Sequence, residues 1–486
     1  MEKILNALSN NGFEPVDYLV FVVYIIILVS MGLFLSRSKK GEEKSSTDYF
    51  LAGNTLTWWA VGASLIAANI SAEQFIGMSG SAYASGIAQA AYELMAAATL
   101  LVVGKFLLPL MIEKKIFTIP QFLRERYNWG VGFAFSLLWL FLYVFVNLTS
   151  VAWLGALAIQ QILGLPTDMT FIVAGMEIDQ VRMVIILCLF LIAGIYSIYG
   201  GLASVAWTDV VQVTFLVGGG LLTAYAALSV IGEEMGIGNA WDALMHIKDY
   251  LASIDGDKHF NLVVTRNEEL YPVINGVVDG AGNTIQKEDP FFTNPGIVLI
   301  FGALWLTNLG YWGFNQYIIQ KGLAAKSLDE AKKGMVFAAF LKILIPFIVC
   351  IPGVCAFYIM NAPECEDLRQ QLAGAITRSD DAYPYLIRNF TPTAVKGLSF
   401  AALAAAVISS LASMFNSTST LFTMDVYKQF INKNASEKKL VNVGRLTSVC
   451  ALIIAMIAVY PLMGGIDQAS RFIQEYSAFV YPGVVA

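Results

Sequence analysis

Eleven apolar segments follow one another along this chain, and each is long enough to cross a lipid bilayer. A spanning helix needs about 20 mainly apolar residues, and lipid requires its backbone groups to be satisfied internally. Of the 486 residues, 57% are hydrophobic and only 14% are charged, an apolar excess that one soluble core does not hold. The chain is therefore predicted to be an all-α integral membrane protein. Its predicted spans are 17–36, 56–82, 86–112, 131–163, 183–200, 207–230, 296–320, 334–360, 395–425, 440–463 and 467–486.

The charges of the connecting loops predict which side of the membrane each loop occupies. Cytoplasmic loops of membrane proteins collect lysine and arginine. Here the basic clusters follow odd-numbered spans, whereas the long loops after even-numbered spans are acidic, so the N-terminus is predicted to be extracytoplasmic. Because the chain ends inside an apolar segment at Ala486, we expect further spans after it. The basic clusters lie within 37–44, 114–126, 321–333 and 428–439, and the acidic loops are 231–295 and 361–394.

The sequence lacks the residues that several classes of protein function require. No basic stripe with interleaved aromatic residues is present, so nucleic acid is not an expected partner. The two histidines, His246 and His259, lie in a polar stretch, and the five cysteines are scattered, which disfavours a metal cluster or a disulfide framework. The chain has no paired intramembrane aspartates and no Gly-x-Ser-x-Gly motif. An enzyme is therefore disfavoured, and no cofactor is expected.

The span count is consistent with two inverted halves. With the first span set aside, two sets of five remain, and an odd repeat length places the halves in opposite orientations, as in many secondary transporters. The predicted parts are an N-terminal helix with its basic loop (1–55), a first repeat (56–230), an extracytoplasmic loop (231–295) and a second repeat (296–486).

The first span of each predicted half is interrupted by polar residues and glycines at its centre. The first carries Asn69, Ser71, Glu73 and Gln74, and the second carries Asn308, Gly310, Gly313, Asn315 and Gln316. Discontinuous helices at corresponding places are typical of transporters that bind ion and substrate near the middle of the membrane. The sequence thus predicts a transport site at these two breaks.

Long runs of residues around these breaks resemble the sodium/solute symporter family, and within it the sodium/glucose cotransporter branch. The resemblance covers nearly the whole chain except loops near 164–182, 231–295 and 361–382. It implies the leucine-transporter-type five-plus-five inverted repeat, preceded by one extra N-terminal helix. The matching runs are 48–53, 58–62, 74–80, 147–150, 196–202, 207–209, 311–320, 401–414 and 474–476.

The resemblance implies a sodium site between the second and ninth spans. Sodium is a hard cation that prefers oxygen ligands. The implied ligands are the backbone carbonyls of Ala67, Ile70 and Ala406 and the hydroxyls of Ser409 and Ser410. The last three lie at i, i+3 and i+4 on one helical face. Helix packing through small residues is the alternative interpretation of the two serines.

Asp209 is interpreted as a carboxylate that attracts the departing ion near the cytoplasmic mouth. The alternative is a solvated carboxylate at the start of a helix.

The resemblance also implies a sugar pocket built from amides, one carboxylate and one ammonium, which together donate and accept hydrogen bonds from hydroxyls. Asn69 is a further candidate, while Lys342 has the alternative role of pairing with a carboxylate to hold helices together. The implied sugar contacts are Gln74, Glu93, Asn308, Lys342 and Gln474, and the implied gates and flanking residues are Tyr311 (inner), Met78 and Tyr92 (outer), Trp312 and Tyr143. Two positions depart from the family's pattern, namely Ala96 in place of a serine and Ser470 in place of an outer-gate phenylalanine.

These features predict a sodium-driven symporter that imports a neutral hexose of the galactose or glucose type by alternating access, in a bacterial inner (plasma) membrane. Its expected partners are the sodium ion as coupling ion, a small neutral sugar and the lipid bilayer, and the sequence carries no signal for an oligomeric state. Other solutes of the family are alternatives: inositol, sialic acid, proline, pantothenate or iodide. A transporter-like sensor module is a further alternative.

Overall fold

A computed structural model describes residues 2–9, 11–35, 44–173, 175–255, 258–263, 296–372, 376, 378–464, 476 and 485. Within this part the chain is almost entirely helical. The α-helices are Glu2–Ser9, Pro15–Leu35, Ser46–Phe50, Trp58–Asn69, Ser79–Ser85, Ala90–Val102, Leu108–Glu113, Ile119–Arg126, Trp129–Phe141, Leu148–Ile162, Gln180–Gly200, Leu202–Glu234, Ala240–Asp255, Gly296–Val298, Leu304–Phe314, Gln316–Leu323, Leu328–Asn361, Glu366–Gln371, Ala382–Phe390, Val395–Leu421 and Glu437–Met463.

Shorter elements complete the described chain. The π-helical turns are Glu73–Met78, Val103–Leu107, Leu142–Asn147, Leu299–Ala303 and Phe422–Ile431. The 3-10 turns are Ala52–Asn54, Gly86–Gln89, Lys258–Phe260, Pro363–Cys365 and Ser379–Asp381. Strands Thr170–Val173 and Met176–Asp179 pair antiparallel, with Thr170 opposite Asp179 and Val173 opposite Met176.

Eight helical stretches in the described residues are long and apolar enough to span a membrane, which confirms the prediction of a multi-pass membrane protein. They correspond to eight of the eleven predicted spans. Two of the other three, 56–82 and 296–320, are the spans expected to be interrupted, and each is divided into shorter helices. Most of the last predicted span, 467–486, lies outside the described residues.

The helix Val395–Leu421, called here the serine helix, lies at the centre of the bundle. In the span that begins with it, 94% of the most apolar stretch is buried, against 17% for the helix Pro15–Leu35. The serine helix contacts Trp58–Asn69, Gln180–Gly200 and Leu202–Glu234. Its many alanines and serines allow such close approach, because small residues let membrane helices pack closely. The serine helix therefore has protein rather than lipid on nearly every side.

The helix Pro15–Leu35 holds the start of the serine helix through one carboxylate. Asp17 is fully buried, and its Oδ1 accepts hydrogen bonds from the backbone amides of Ala394 (2.8 Å) and Gly397 (2.9 Å). Ala394 has a φ of 71°, a left-handed conformation that is unfavourable for alanine. A Cβ on Gly397 would lie 2.5 Å from the Asp17 carbonyl oxygen, so the close approach requires glycine there. Asp17 thus fixes where the serine helix begins.

Asp17→Ala is expected to destabilise the protein by roughly 1–3 kcal/mol, because it leaves buried helix-terminal amides without an acceptor. The measurement is the free energy of unfolding in detergent, with Glu14→Ala, a nearby exposed carboxylate, as the control. Equal stability of the two variants would contradict this role for Asp17.

The predicted extracytoplasmic loop 231–295 contains a helix that covers the ends of two spans. Ala240–Asp255 buries Ala243, Ile247 and Leu251 against residues of the helices Leu202–Glu234 and Leu328–Asn361. This spacing places the three side chains on one helical face. The described part of this loop is therefore a packed cap, while 264–295 lies outside the described residues.

Candidate functional site

The first broken helix consists of Trp58–Asn69 and, after a break at residues 70–72, of Glu73–Met78 continued by Ser79–Ser85. Ile70 is extended, with φ −77° and ψ 114°. Local side chains replace the lost helical bonds, because Gln74 Oε1 accepts from the Ser71 amide (2.8 Å) and Ser71 Oγ accepts from the Glu73 amide (3.1 Å). The Ser71 and Glu73 amides are thereby satisfied, while carbonyls before the break are released from the helix.

One serine of the serine helix meets these carbonyls. The Ser410 hydroxyl lies 3.1 Å from the Ala68 carbonyl oxygen and 3.5 Å from that of Ile70. The five residues predicted for the sodium site are fully buried, namely Ala67, Ile70, Ala406, Ser409 and Ser410. Ala68 was missed by the sequence reasoning, although a helix end releases the carbonyls of its last four residues and so includes it.

Ser409, the neighbouring serine, is directed to a different group. Its hydroxyl donates to Asp209 Oδ1 (2.5 Å), and Asp209 Oδ2 accepts from the Ser64 hydroxyl (2.5 Å) and from the Lys321 ammonium (2.9 Å). Asp209 is fully buried inside the helix Leu202–Glu234, so the interpretation of a solvated helix-start carboxylate is wrong. The carboxylate instead lies beside a predicted sodium ligand.

The prediction that Lys321 belongs to a cytoplasmic loop is wrong. The sequence placed Lys321 in a cytoplasmic basic cluster, but its side chain is 1% exposed and forms an ion pair with Asp209. A lysine at the end of an apolar run has the same pattern as a flanking loop charge. Because its partner lies 112 positions earlier in the chain, no local sequence signal distinguishes the two cases.

The second broken helix consists of Leu304–Phe314 and Gln316–Leu323, with Asn315 extended between them (φ −84°, ψ 121°). Tyr143, which belongs to the π-helical turn Leu142–Asn147, forms hydrogen bonds with this break. Its hydroxyl donates to Asn315 Oδ1 (2.5 Å) and accepts from the Tyr317 amide (3.3 Å). The structure therefore places Tyr143, predicted as a flanking gate residue, directly on the second break.

Tyr311 joins the two broken helices. Asn69 Nδ2 donates to the Tyr311 hydroxyl (2.9 Å), and the Tyr311 and Tyr317 hydroxyls are 2.6 Å apart. Asn69 Oδ1 is buried and has no hydrogen-bond partner within the described part of the chain. Asn69 therefore has an acceptor to offer immediately before the first break.

Tyr143→Phe is expected to weaken apparent solute affinity at least two- to tenfold, because it removes both hydrogen bonds that the Tyr143 hydroxyl makes at the second break, and one such bond is worth ~0.5–1.5 kcal/mol. The measurement is concentration-dependent uptake in proteoliposomes. Tyr225→Phe, whose side chain is exposed, is the control and is expected to match the wild type. Identical affinities for both variants would show that Tyr143 does not support the break.

A second buried ion pair joins the predicted carboxylate and ammonium of the substrate pocket. The Lys342 ammonium donates to Glu93 Oε2 and lies 5.3 Å from the centre of the Trp312 ring. Both charged side chains are almost fully buried, at 1% and 5% exposure. The alternative interpretation of Lys342, pairing with a carboxylate, thus describes a contact that exists, and it is compatible with solute binding.

The remaining predicted pocket residues are arranged differently. Gln74 caps the first break with its carbonyl oxygen, and Asn308 Nδ2 donates to the Leu304 carbonyl of its own helix (2.9 Å). Met78 and Tyr92 contribute to the same apolar core. Gln474 and Ser470 lie outside the described residues. The described chain therefore brings two groups together: Glu93 with Lys342 and Trp312, and Asn69 with Tyr311, Tyr317, Tyr143 and Asn315.

Comparison with known proteins shows which family this chain is similar to. Residues 49–484 match the family model described as the sodium:solute symporter family. The chain is 48% identical over 480 residues to the sodium/glucose cotransporter of Vibrio parahaemolyticus, covering 98% of this chain and 80% of that protein. It is 33% identical over 496 residues to sodium/myo-inositol cotransporter 2 of Mus musculus, covering 99% of this chain and 66% of that protein.

A similar fold occurs in a solved structure of a sodium-coupled sialic acid symporter in a substrate-bound, outward-open state. The TM-score is 0.75 over 96% of this chain and 86% of that one, at 23% sequence identity.

Proposed function

Because this chain belongs to the sodium:solute symporter family, we propose that it imports a neutral hexose of the galactose or glucose type by alternating access. The family consists of sodium-coupled transporters rather than enzymes, and sodium is the coupling ion. The sodium/glucose cotransporter named above supports the choice of a sugar.

The observation that carries the hexose proposal is the buried pair of Glu93 and Lys342 beside Trp312. A carboxylate accepts and an ammonium donates, so together they match hydroxyls, which do both. The C–H face of a pyranose packs well on an aromatic ring. Because the pair is neutral overall, a neutral solute adds no uncompensated charge to this buried site, whereas an anion would. These properties favour a neutral polyol ring over sialic acid, pantothenate or iodide.

The sodium site that we propose lies where Ser410 meets the first break, with the carbonyls of Ala67, Ile70 and Ala406 and the Ser409 hydroxyl as further ligands. Sodium there would hold the broken helix against the serine helix. Asn69 immediately precedes the break and contacts Tyr311, so ordering the break also orders the inner gate. Sodium then raises solute affinity and, by linkage, the solute raises sodium affinity to the same extent.

One sodium ion that enters with a neutral sugar moves one charge across the membrane. That charge is worth about 2.3 kcal/mol per 100 mV. Since ~1.4 kcal/mol corresponds to a tenfold ratio, the electrical term alone supports roughly fifty-fold accumulation. The release step in this proposal is the movement of Tyr311 away from Asn69, which opens the site to the cytoplasm.

A second candidate solute is myo-inositol, a neutral ring of hydroxyls that satisfies the same charge argument. The similarity to a sodium/myo-inositol cotransporter favours it specifically. Proline and the sensor-module function are the remaining alternatives, without a contact in the described residues that favours either.

The test is uptake of labelled galactose and glucose by full-length protein in proteoliposomes, under an inward sodium gradient or a choline control. We expect sodium-dependent accumulation of a hexose that excess unlabelled myo-inositol does not abolish. Accumulation blocked by myo-inositol, together with direct uptake of labelled inositol, would reassign the solute. Folded protein that binds sodium but transports none of the three would contradict the solute proposal.

We further propose the topology predicted from loop charge: an extracytoplasmic N-terminus in a bacterial inner membrane, with inverted repeats at 56–230 and 296–486 separated by the loop 231–295, and the extra helix within 1–55. Single cysteines in place of Asp242 and Asn434, both exposed, test the orientation in a cysteine-free background. A membrane-impermeant maleimide added to intact cells should label only the first. Labelling of only the second would reverse the topology.

A further inference from the structure

Two basic side chains from distant parts of the chain meet at the C-terminal end of the helix Gln180–Gly200. The Lys44 ammonium donates to the Gly200 carbonyl (3.1 Å), and the Arg445 guanidinium donates to the Tyr199 carbonyl (3.3 Å). Both cations also lie over the Tyr199 ring, at 5.8 Å and 5.4 Å from its centre. Lys44 and Arg445, called here the cation pair, therefore share one helix end and one aromatic ring.

The positive charge of the cation pair is not neutralised by a carboxylate. Within the residues that the structure describes, neither side chain forms an ion pair. Asp48 and Glu437, two carboxylates of the same region, instead accept from backbone amides at the start of the helix Ser46–Phe50. Burial and then repulsion from the Arg445 guanidinium lower the pKa of Lys44 to about 8, and Asp48 opposes this shift. An anion between the two cations would relieve their repulsion.

Capping of the helix end explains only part of this arrangement. The C-terminus of a helix carries a partial charge of about −0.5, which one cation already complements. An ammonium has three donors and a guanidinium has five, and each member of the cation pair uses one donor on a helix carbonyl. Positive charge and hydrogen-bond donors therefore remain available for an anionic ligand.

The surface next to the cation pair is apolar and continues along two helices. Gln180–Gly200 and Glu437–Met463 contact each other, and Arg445 lies near the start of the second. Side chains four residues apart lie on one helical face. Each helix has an apolar stripe that protein does not cover, with every side chain at least 39% exposed: Leu191, Ile195 and Tyr199 on the first, and Val449 and Ile453, which follow Arg445 by four and eight positions, on the second.

We propose that the cation pair binds the phosphate headgroup of an anionic phospholipid whose acyl chains lie along the two apolar stripes. Guanidinium groups bind phosphate with charge-assisted hydrogen bonds, and basic pockets between cytoplasmic helix ends are typical sites for anionic headgroups. Tyrosine rings such as that of Tyr199 favour the same headgroup level. Apolar stripes occur on any lipid-facing helix, so the selectivity for an anionic lipid comes from Lys44 and Arg445.

The lipid would connect three elements that the cation pair already brings together. Lys44 precedes the helix Ser46–Phe50, Arg445 belongs to Glu437–Met463, and both hold the end of Gln180–Gly200. A phosphate between them joins these elements without a covalent link. This inference depends on neither the transported solute nor the sodium site.

The test is native mass spectrometry of the delipidated full-length protein with equimolar phosphatidylglycerol and phosphatidylcholine, without sodium or sugar. We expect the wild type to prefer phosphatidylglycerol by about twenty-fivefold, because each basic residue near the membrane surface contributes roughly fivefold. Lys44→Gln combined with Arg445→Gln should bring the preference close to one. The control, Lys332→Gln combined with Lys433→Gln, removes two exposed lysines and should keep the wild-type preference. An unchanged preference in the first double variant, or an equal loss in both, would overturn the proposal.

Single variants keep the proposal testable if the double variant does not fold. Arg445→Gln should lower the preference about fivefold, whereas Arg445→Lys, which keeps the charge, should stay close to the wild type. Equal preferences of these two variants would contradict a headgroup site at Arg445.

A soluble competitor distinguishes a lipid from a free anion. Glycerol 3-phosphate has the phosphate without acyl chains, so it should displace phosphatidylglycerol only at roughly hundredfold excess or more. Displacement at equal concentration would assign the cation pair to a soluble anion and overturn the lipid proposal. Because sodium and sugar are absent, failure of the transport proposal would not alter these results.

Discussion

Lys342→Met is expected to abolish solute accumulation and to lower the free energy of unfolding by roughly 3–5 kcal/mol. The reason is that Glu93, only 5% exposed, loses its sole charged partner within hydrogen-bond distance among the described residues. An uncompensated buried carboxylate is far less favourable than a buried ion pair. The measurements are sodium-driven uptake in proteoliposomes and unfolding in detergent for the same preparation.

Two further variants separate a structural role of this pair from a role in binding. Lys333→Met removes a lysine whose pair with Asp329 is exposed, and an exposed ion pair contributes little to stability, so the free energy of unfolding and the uptake should both stay close to the wild type. Glu93→Gln combined with Lys342→Met removes both charges and should recover stability without recovering uptake. Recovery of both would mean that the pair only holds helices together, and the pocket assignment would then be wrong.

Ser410→Ala is expected to raise the sodium concentration needed for half-maximal transport by roughly ten- to a hundredfold. A hydroxyl that interacts with a charged group contributes ~1.5–3 kcal/mol, and ~1.4 kcal/mol is tenfold. Ser409→Ala is expected to weaken sodium dependence as well, since it removes a proposed ligand and the link to Asp209. The measurement is initial uptake as a function of sodium at fixed solute.

The matched control is Ser448→Ala. Ser448 is equally buried but donates to the Phe415 carbonyl (3.2 Å), away from the first break. It should leave the sodium dependence unchanged. Unchanged sodium activation in both Ser409→Ala and Ser410→Ala would contradict the site assignment and return these serines to the alternative of helix packing.

The two discontinuous helices show which structural features a local sequence pattern predicts and which it does not. Polar residues and glycines at the centre of an apolar segment predict a break, and the described breaks at 70–72 and at Asn315 fall inside the predicted regions. The partners that stabilise each break come from elsewhere in the chain. Tyr143 lies 172 positions before Asn315, and Ser410 lies 340 positions after Ile70. Only packing brings these atoms together, so the sequence pattern alone predicts the break and not its support.

The sequence by itself determined the membrane class, the family and the positions of the two broken helices at which the site is proposed, because these depend on segment hydropathy and on contiguous runs of residues. Tertiary structure decided the pairing of buried charges. Glu93 with Lys342 and Asp209 with Lys321 are separated by 249 and 112 positions, respectively. A lysine beside an apolar run has the same local pattern whether it flanks the membrane or lies inside it. Its burial is decided by whether the fold brings a carboxylate to it, since a buried ammonium without a partner is too costly to persist.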